Sequence, residues 1–385
     1  MAIGEAGSIT TNSPAENTPI TINFSATLDD PVIALTATNN GGNQFTLRVI
    51  DVTDNSFTFI IEEWEYHDGA HPATETINWV AVNEGVHTLP DGRIVEAGTS
   101  SATHNSGNVS LNGGFTDTPV VLTSVMSEND TTAVDSDPRD ITASGFNIRL
   151  QEEEAQDGAH ASETVGFIAI QGGGDATSGT ATAHGGVNHT VHALGLGDTF
   201  SDAIVVAETQ TINGGDTATI VIDSQNNSSV GLLVEEEQSN DSEMNHIDET
   251  IGVVAFENGL IPCFAPEAMI ATPMGPRAVE TLQPGDLVLT RDHGPCPVRW
   301  ISHTRLSAHD LALRPDDKPI RITAHSIAPG VPERDITVSP QHRFLVEGWT
   351  AQLYFGQEEL LVPAKSFLND STIRIAHDMH EVDYY

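Results

Sequence analysis

Basic residues are scarce in this chain: 15 Lys and Arg stand against 55 Asp and Glu in 385 residues, a formal net charge of −40. Nucleic acid and anionic membrane surfaces would repel such a chain, which excludes both as partners. Cysteine is scarcer still. Two in so long a chain rule out a disulfide scaffold and leave each as an available thiol. No apolar run approaches the roughly 20 residues that a membrane-spanning helix needs. The opening Met1-Ala2-Ile3-Gly4-Glu5-Ala6-Gly7 has neither the basic start nor the apolar stretch of a signal peptide. Secretion or surface display by a route without an N-terminal signal peptide is expected, with a cytoplasmic location left open.

What is present divides sharply at Ile261-Pro262-Cys263-Phe264-Ala265-Pro266. Upstream, only four basic residues (Arg48, Arg93, Arg139 and Arg149) are spread through an acidic sequence rich in Gly, Thr and Asn. Downstream lie the other eleven, with dense Pro and His and no repeat. Such a composition shift marks a domain boundary.

The upstream part repeats itself. Glu75-Thr76-Ile77-Asn78-Trp79-Val80-Ala81 recurs 88 positions on as Glu163-Thr164-Val165-Gly166-Phe167-Ile168-Ala169. It recurs after another 86 as Glu249-Thr250-Ile251-Gly252-Val253-Val254-Ala255. Each copy follows an acidic cluster: Glu62, Glu63 and Glu65; Glu152 to Glu154; Glu235 to Glu237. Alternating runs such as Phe57-Thr58-Phe59-Ile60-Ile61 read as half-buried strands. Asn40-Gly41-Gly42, Asn112-Gly113-Gly114 and Asn213-Gly214-Gly215 read as turns, because Asn and Gly tolerate positive φ. The expectation is an all-β protein: three tandem β-sandwich-like repeats over 1–97, 98–180 and 181–259, then a compact β domain over 260–385.

The acidic clusters admit two readings. Carboxylates in Gly-containing loops suit calcium, with Asp68, Asp157, Glu153 and Glu236 as candidate ligands. The blander reading is solvated strand ends that keep an acidic protein soluble. No other cofactor is expected. The first repeat resembles the H-type lectin domain, a six-stranded sandwich, through Phe24, Pro31-Val32, Arg48-Val49, Val52-Thr53, Ser56-Phe57-Thr58, Trp64 and Trp79-Val80-Ala81. That resemblance implies a glycan or cell-surface ligand. Phe167 and Val253 replace Trp79 in the later repeats, so no sugar-binding residue set carries over.

Downstream, Cys263 stands at the head of its domain, where a thiolate can attack the preceding carbonyl. Expelling an amide nitrogen requires its protonation, a role suited to a histidine near neutral pH. Cys263-Phe264-x-Pro266, Ile270-x-Thr272-Pro273-x-Gly275, Val279-Glu280-x-Leu282-x-Pro284-Gly285-Asp286 and Val338-Ser339-Pro340-Gln341-His342-Arg343 resemble the bacterial branch of the Hint (hedgehog/intein) family over 261–385. The resemblance implies a twisted β fold in which Cys263 forms a thioester with Pro262, the protein's own N-terminal segment being the substrate. It implies assistance by His342 and Ser339, the latter at a position where the family carries Thr. Asp292 and His293 are second-shell candidates, and Cys296 matches no catalytic position. The His-Asn ending needed for splicing is missing, so cleavage or transfer is the expected outcome. The chain stops at Asp383-Tyr384-Tyr385, where the family continues, so a domain truncated at its C-terminal end is expected. The alternative is an extracellular carbohydrate- or calcium-binding adhesin with a catalytically silent Hint scaffold.

Overall fold

In a computed structural model the regular structure of the described residues is almost entirely β-strand, the fold class expected from the sequence. The structure describes residues 3–260 except 26, 42, 68, 90, 157, 241 and 243. Beyond these it describes 268–384 except 284, 292, 293, 299–303, 307, 309, 310, 312–317, 329, 341, 348–358 and 370. Two compact units are present: one takes in Ile3–Phe24 and Leu28–Gly259, the other Leu260–Tyr385.

Within the first unit each repeat supplies six strands to two facing sheets. In the first repeat, β1 (Gly4–Ser13), β3 (Pro31–Thr38) and β6 (His71–Asn83) form one sheet. The other holds β2 (Ile20–Asn23), β4 (Phe45–Thr53) and β5 (Ser56–Glu63). The second repeat reproduces this with β8 (Ile94–Ala102), β10 (Val120–Val125) and β13 (Glu163–Ile170) in one sheet. Facing them are β9 (Gly107–Ser110), β11 (Val134–Thr142) and β12 (Gly145–Glu152). The third uses β15 (Gly179–Val187), β17 (Ala203–Thr209) and β20 (Glu249–Glu257), with β16 (His192–Gly195), β18 (Ala218–Gln225) and β19 (Ser229–Glu236). In strand terms a repeat opens at Gly4, Ile94 or Gly179, so β8 and β15 run across positions 97/98 and 180/181.

The repeats are linked head to tail. After β6, the short β7 (Gly85–Thr88) pairs with β8, and after β13, β14 (Gly173–Asp175) pairs with β15. After β20, β21 (Gly259–Leu260) comes to lie beside β1. Each exit strand thus borders the entry strand of the next repeat, and the third returns to the first. A parallel pair between β18 and β3, Val221 opposite Ala37, joins the third repeat to the first a second time.

The inward faces make separate cores: Val121, Phe146, Ile148, Val165 and Phe167 in the second repeat, Val205, Leu232, Val234, Ile251 and Val253 in the third. Cross-strand partners compensate one another in volume. Trp79 lies opposite Gly7, Phe167 opposite Gly98, and Val253 opposite Thr182. A Cβ on Gly7 would sit 2.5 Å from Trp79 Cζ2, and one on Gly98 2.9 Å from Phe167 Cζ. Where the ring is large, its neighbour across the ladder is glycine; where it shrinks to valine, the neighbour is threonine.

The second unit is built of short pairings. β22 (Met269–Ile270) pairs with β23 (Arg277–Ala278), and β24 (Leu287–Thr290) with β25 (Gly294–Pro297). β26 (Thr304–Leu306) pairs with the last strand, Val382–Tyr384. β27 (Ile320–Ile322) lies between β28 (Ile336–Val338) and Ile373–Ile375, and β29 (Arg343–Glu347) pairs with β30 (Glu359–Pro363). Its core gathers Ile320, Ile322, Val338, Ala364 and Ile373, with Phe344 and Phe367 packed on it.

Candidate functional site

In the second unit, β28 ends at Val338 and β29 begins at Arg343; the four residues between them carry the candidate chemistry. The His342 amide donates to the Ser339 carbonyl (3.1 Å), closing a tight turn with Ser339 and His342 at its two ends. A 3-10 turn over Ala364–Phe367 clamps it: the Ala364 amide donates to His342 O (2.7 Å) and Lys365 N to Pro340 O (2.9 Å). The imidazole lies edge-on to Phe344, ring centroids 5.3 Å apart, and Phe344 is edge-on to Phe367. Core packing therefore fixes the ring plane of a half-buried histidine. Ser339 Oγ is inaccessible to solvent and has no hydrogen-bond partner among the described residues. A buried hydroxyl without a partner is costly and invites a functional explanation.

Pro262 and Cys263, the expected scissile pair, lie outside the described residues, as do Asp292 and His293. Cys296 is a free, half-buried thiol in the β24–β25 hairpin, 3.7 Å from Thr290 Oγ1. Asp286 is structural. Its Oδ2 accepts from Arg277 Nη1 (2.7 Å) and from Gln283 N (2.9 Å), tying the segment ahead of β24 to β23.

In the first unit the acidic clusters are not solvated strand ends. Each repeat contains a buried Glu–His–Glu chain: Glu63–His71–Glu75, Glu152–His160–Glu163 and Glu236–His246–Glu249. Nδ1 of the three rings lies 3.0, 2.9 and 2.7 Å from the first glutamate. Nε2 faces the second at 3.2, 3.4 and 3.3 Å. The second glutamate, which opens the repeated Glu-Thr motif, also caps the loop after the preceding strand. Asn40 N donates to Glu75, Asn129 and Asp130 N to Glu163, and Asn213 and Gly214 N to Glu249. A hydroxyl from Thr38, Ser127 or Thr211 completes each cap.

These contacts set the acidities. Burial alone would raise Glu163 and Glu249, yet the hydroxyl, the amides and, for Glu249, His246 hold both below the usual carboxylate range. Burial opposes charge on His246 as well, but its two carboxylates lift it above the ordinary histidine value.

The other cluster residues join repeats together. Glu62 binds Arg48 Nε (2.9 Å), and the Arg48 guanidinium donates to the Asp130 and Thr132 carbonyls of the second repeat at 2.6 Å each. Burial pushes Glu62 up to about 7 despite that partner. Glu153 accepts from Tyr66 N, and Glu237 from Glu154 N and Ser239 N. Of the candidate calcium ligands, Glu153 and Glu236 thus meet protein donors, whereas Asp68 and Asp157 lie outside the described residues.

A cavity of about 60 Å³ lies where the repeats meet, lined among others by Thr46, Asp135, Glu208 and Thr219. Burial, reinforced by Asp137, pushes Asp135 well above the usual carboxylate range; burial and the charges of Asp135 and Asp137 do the same to Glu208. Both side chains keep partial exposure while deep in the protein because they line this cavity. Nothing in their local sequence marks them, since their neighbourhood comes from strands of three repeats.

A model of the Hint domain matches residues 262–385. Halomucin of Haloquadratum walsbyi is 27% identical over 265 residues, which is 65% of this chain and 3% of Halomucin; the chain thus spans a small fraction of that relative's length. No solved structure matches. The three-repeat β unit of this chain is therefore followed by a Hint-type domain, which occupies residues 262–385.

Proposed function

We propose that this is an autoprocessing protein whose Hint-type domain cleaves, or transfers to a nucleophile, the three-repeat passenger at Pro262–Cys263. The Cys263 thiolate attacks the Pro262 carbonyl carbon, the bond to the Cys263 nitrogen breaks, and Pro262 is left as a thioester on Sγ. The net change moves the acyl group from nitrogen to sulfur and the thiol proton to the amine. His342 delivers a proton to the leaving nitrogen, and the Ser339 hydroxyl steadies either the imidazole or the developing oxyanion. Water or another nucleophile then opens the thioester and frees the thiol.

The observation that carries this reading is the start of the domain match at Pro262, one residue ahead of Cys263. The Ser339–His342 turn, with its partnerless hydroxyl, supports it. Hydroxylamine or a strong thiol should release fragments of 262 and 123 residues (385 − 262 = 123) in intact-mass spectra. Cys263→Ala should abolish the release and Cys296→Ala should leave it intact; cleavage surviving in Cys263→Ala would overturn the mechanism.

The passenger is proposed to work outside the cell or at its surface, a reading supported by likeness to a protein named as a mucin. A second reading is an extracellular carbohydrate- or calcium-binding adhesin with a silent Hint scaffold, for which that likeness supports only the place at the surface. An inert chain that binds on a glycan array, or melts several degrees higher in millimolar Ca²⁺ but not Mg²⁺, would select it.

A further inference from the structure

The cavity where the repeats meet is built from equivalent positions. Thr36, Ser124 and Glu208 stand opposite the fourth residue of the repeated Glu-Thr motif: Asn78, Gly166 and Gly252. Thr46, Asp135 and Thr219 are the second residues of β4, β11 and β18, opposite Glu62, Gln151 and Glu235. All six line the same cavity of about 60 Å³, so the two triplets face one another across it. Each triplet consists of two hydroxyls and one carboxylate.

These oxygens are unevenly satisfied. Thr36 Oγ1 donates to Ala207 O and Thr46 Oγ1 to Val134 O, so both are spent in holding neighbouring repeats. Glu208 Oε1 accepts from Thr209 N (2.8 Å), but its Oε2 meets only Thr123 Oγ1, at 3.3 Å. No side chain donates to Asp135 among the described residues. Val121 and Val125 point into the core of the second repeat, so Ser124 points the other way, into the cavity. Ser124 is only 6% exposed, yet its hydroxyl has no hydrogen-bond partner among the described residues. Thr219 Oγ1 is buried and partnerless as well. The charges of Arg149 and Arg139 act on the neighbouring Asp137, whereas Asp135 and Glu208 feel chiefly burial and other carboxylates.

We propose that Asp135 and Glu208 bind one calcium ion in this cavity, with Ser124 and Thr219 supplying neutral oxygen ligands and water completing the shell. The donors are all oxygens, which suits a hard cation and offers zinc-class ions neither imidazole nor thiolate. Two carboxylates deep in the protein call for a divalent ion, because a monovalent one would leave a buried charge unbalanced. Calcium takes six to eight oxygens in flexible geometry, which fits ligands gathered from strands of two repeats. Magnesium demands a near-ideal octahedron and gives up its waters reluctantly. One water needs about 10–15 Å³, so a cavity of about 60 Å³ holds the ion with a few waters. Ser124 and Asp135 belong to the second repeat, Glu208 and Thr219 to the third, so the ion ties the two together. It supplies there the positive charge that a passenger with four arginines lacks. The site is independent of the Hint chemistry, and none of its residues is among the calcium candidates read from the sequence.

The test compares the EDTA-dialysed full chain with Ser124→Ala and with the double variant Asp135→Thr, Glu208→Thr, in which both triplets carry three hydroxyls. Equilibrium dialysis against radiocalcium counts bound ions in about 0.15 M NaCl, which screens the surface carboxylates. Circular dichroism follows the melt of the three-repeat unit. The wild type should hold one equivalent that the double variant lacks, and its melt should rise in millimolar Ca²⁺ but not in Mg²⁺. The double variant should melt at least as high as the wild type in EDTA, because two buried carboxylates are gone, and should not respond to Ca²⁺. Ser124→Ala breaks no hydrogen bond, so it should leave the EDTA melt in place. It should nevertheless weaken that equivalent about 10-fold, the lower end of what losing a supporting residue costs a metal site. No extra equivalent in the wild type, an unchanged calcium affinity in Ser124→Ala, equal stoichiometry in a folded double variant, or Mg²⁺ competing as well as Ca²⁺ would each overturn the proposal.

Discussion

The opposition of Trp79 to Gly7, Phe167 to Gly98 and Val253 to Thr182 makes a quantitative prediction about the first repeat. Gly7→Thr places a Cβ 2.5 Å from Trp79 Cζ2 and 2.8 Å from Cε2, so the indole must shift. That indole is tightly held, 5.5 Å from the Phe57 ring and 6.1 Å from Phe24, so overpacking should cost about 1–3 kcal/mol. Trp79→Val alone removes most of a buried side chain at 5% exposure and should cost about 3–4 kcal/mol, towards the lower end for aromatic truncations because valine refills part of the space. The double variant reproduces the Thr182–Val253 pair of the third repeat. Its destabilisation should fall short of the sum of the singles by about 1–2 kcal/mol, within the range for contacting residues. The assay is urea unfolding of the full chain, following the transition of the three-repeat unit by far-ultraviolet circular dichroism. Destabilisations that simply add would show that the pairing of small with large residues across the ladder is incidental.

Three further outcomes follow from the buried charges and the Ser339–His342 turn. His246 is raised and Glu249 lowered, so the first contributes stability below pH about 6.5 and loses it as pH rises through its folded value. The second contributes above about 4.3 and loses it on acidification. Glu62, Asp135 and Glu208, all raised, favour folding at low pH and lose that advantage as pH climbs past their unfolded values. Thermal melts should therefore fall from pH 5.5 to 8, less steeply in His246→Gln; a rise would refute the assignment. Arg48→Met leaves Glu62 buried without its cation and removes two donors to the second repeat, a loss of about 3–5 kcal/mol that Glu62→Gln in the same chain should partly restore. In hydroxylamine-cleavage time courses His342→Ala should slow fragment release about 10²–10⁴-fold. Ser339→Ala should slow it less, and Ser339→Thr should keep the rate.

The repeat was legible because the Glu-Thr strand carries its signature in consecutive residues, and the domain break because charge and proline content change at once. Ser339 and His342 were legible for a related reason: a turn fixes both, so their spacing survives in the linear order. The Glu–His–Glu chains were only half visible. The recurrence of His71, His160 and His246 just before the glutamates could be seen, but Glu63, Glu152 and Glu236 reach them from the ends of other strands. The clusters looked like solvated surface because the sequence cannot show loop amides converging on a carboxylate. Ring closure at Gly259 and the Asp135–Glu208 cavity depend on contacts between residues tens to hundreds of positions apart, beyond any local pattern.

The fate of the acidic residues also bears on how a chain of −40 can hold so compact a unit. With only four arginines upstream of the Hint-type domain, charge neutralisation by basic side chains cannot account for its buried carboxylates. Glu75, Glu163 and Glu249 are satisfied mainly by backbone amides and hydroxyls, which bring no net charge; at Glu163 and Glu249 these hydrogen bonds help to lower the carboxylate pKa. His246 supplies a cation when protonated, a form its two carboxylates favour, so part of the balance depends on pH. Asp135 and Glu208 are displaced in the opposite direction, towards the protonated acid, which removes charge from the place where the repeats meet. A passenger built in this way keeps its fold through local hydrogen bonds whose donors belong to the loops themselves. Screening by salt weakens interactions between exposed charges more than it weakens these buried ones. Repulsion across the surface is the component that salt relieves, so added salt should stabilise the three-repeat unit. A melting temperature that falls between 0.1 and 1 M NaCl would show instead that exposed ion pairs, such as those Arg277 and Arg321 make in the Hint-type domain, have counterparts that hold the passenger together.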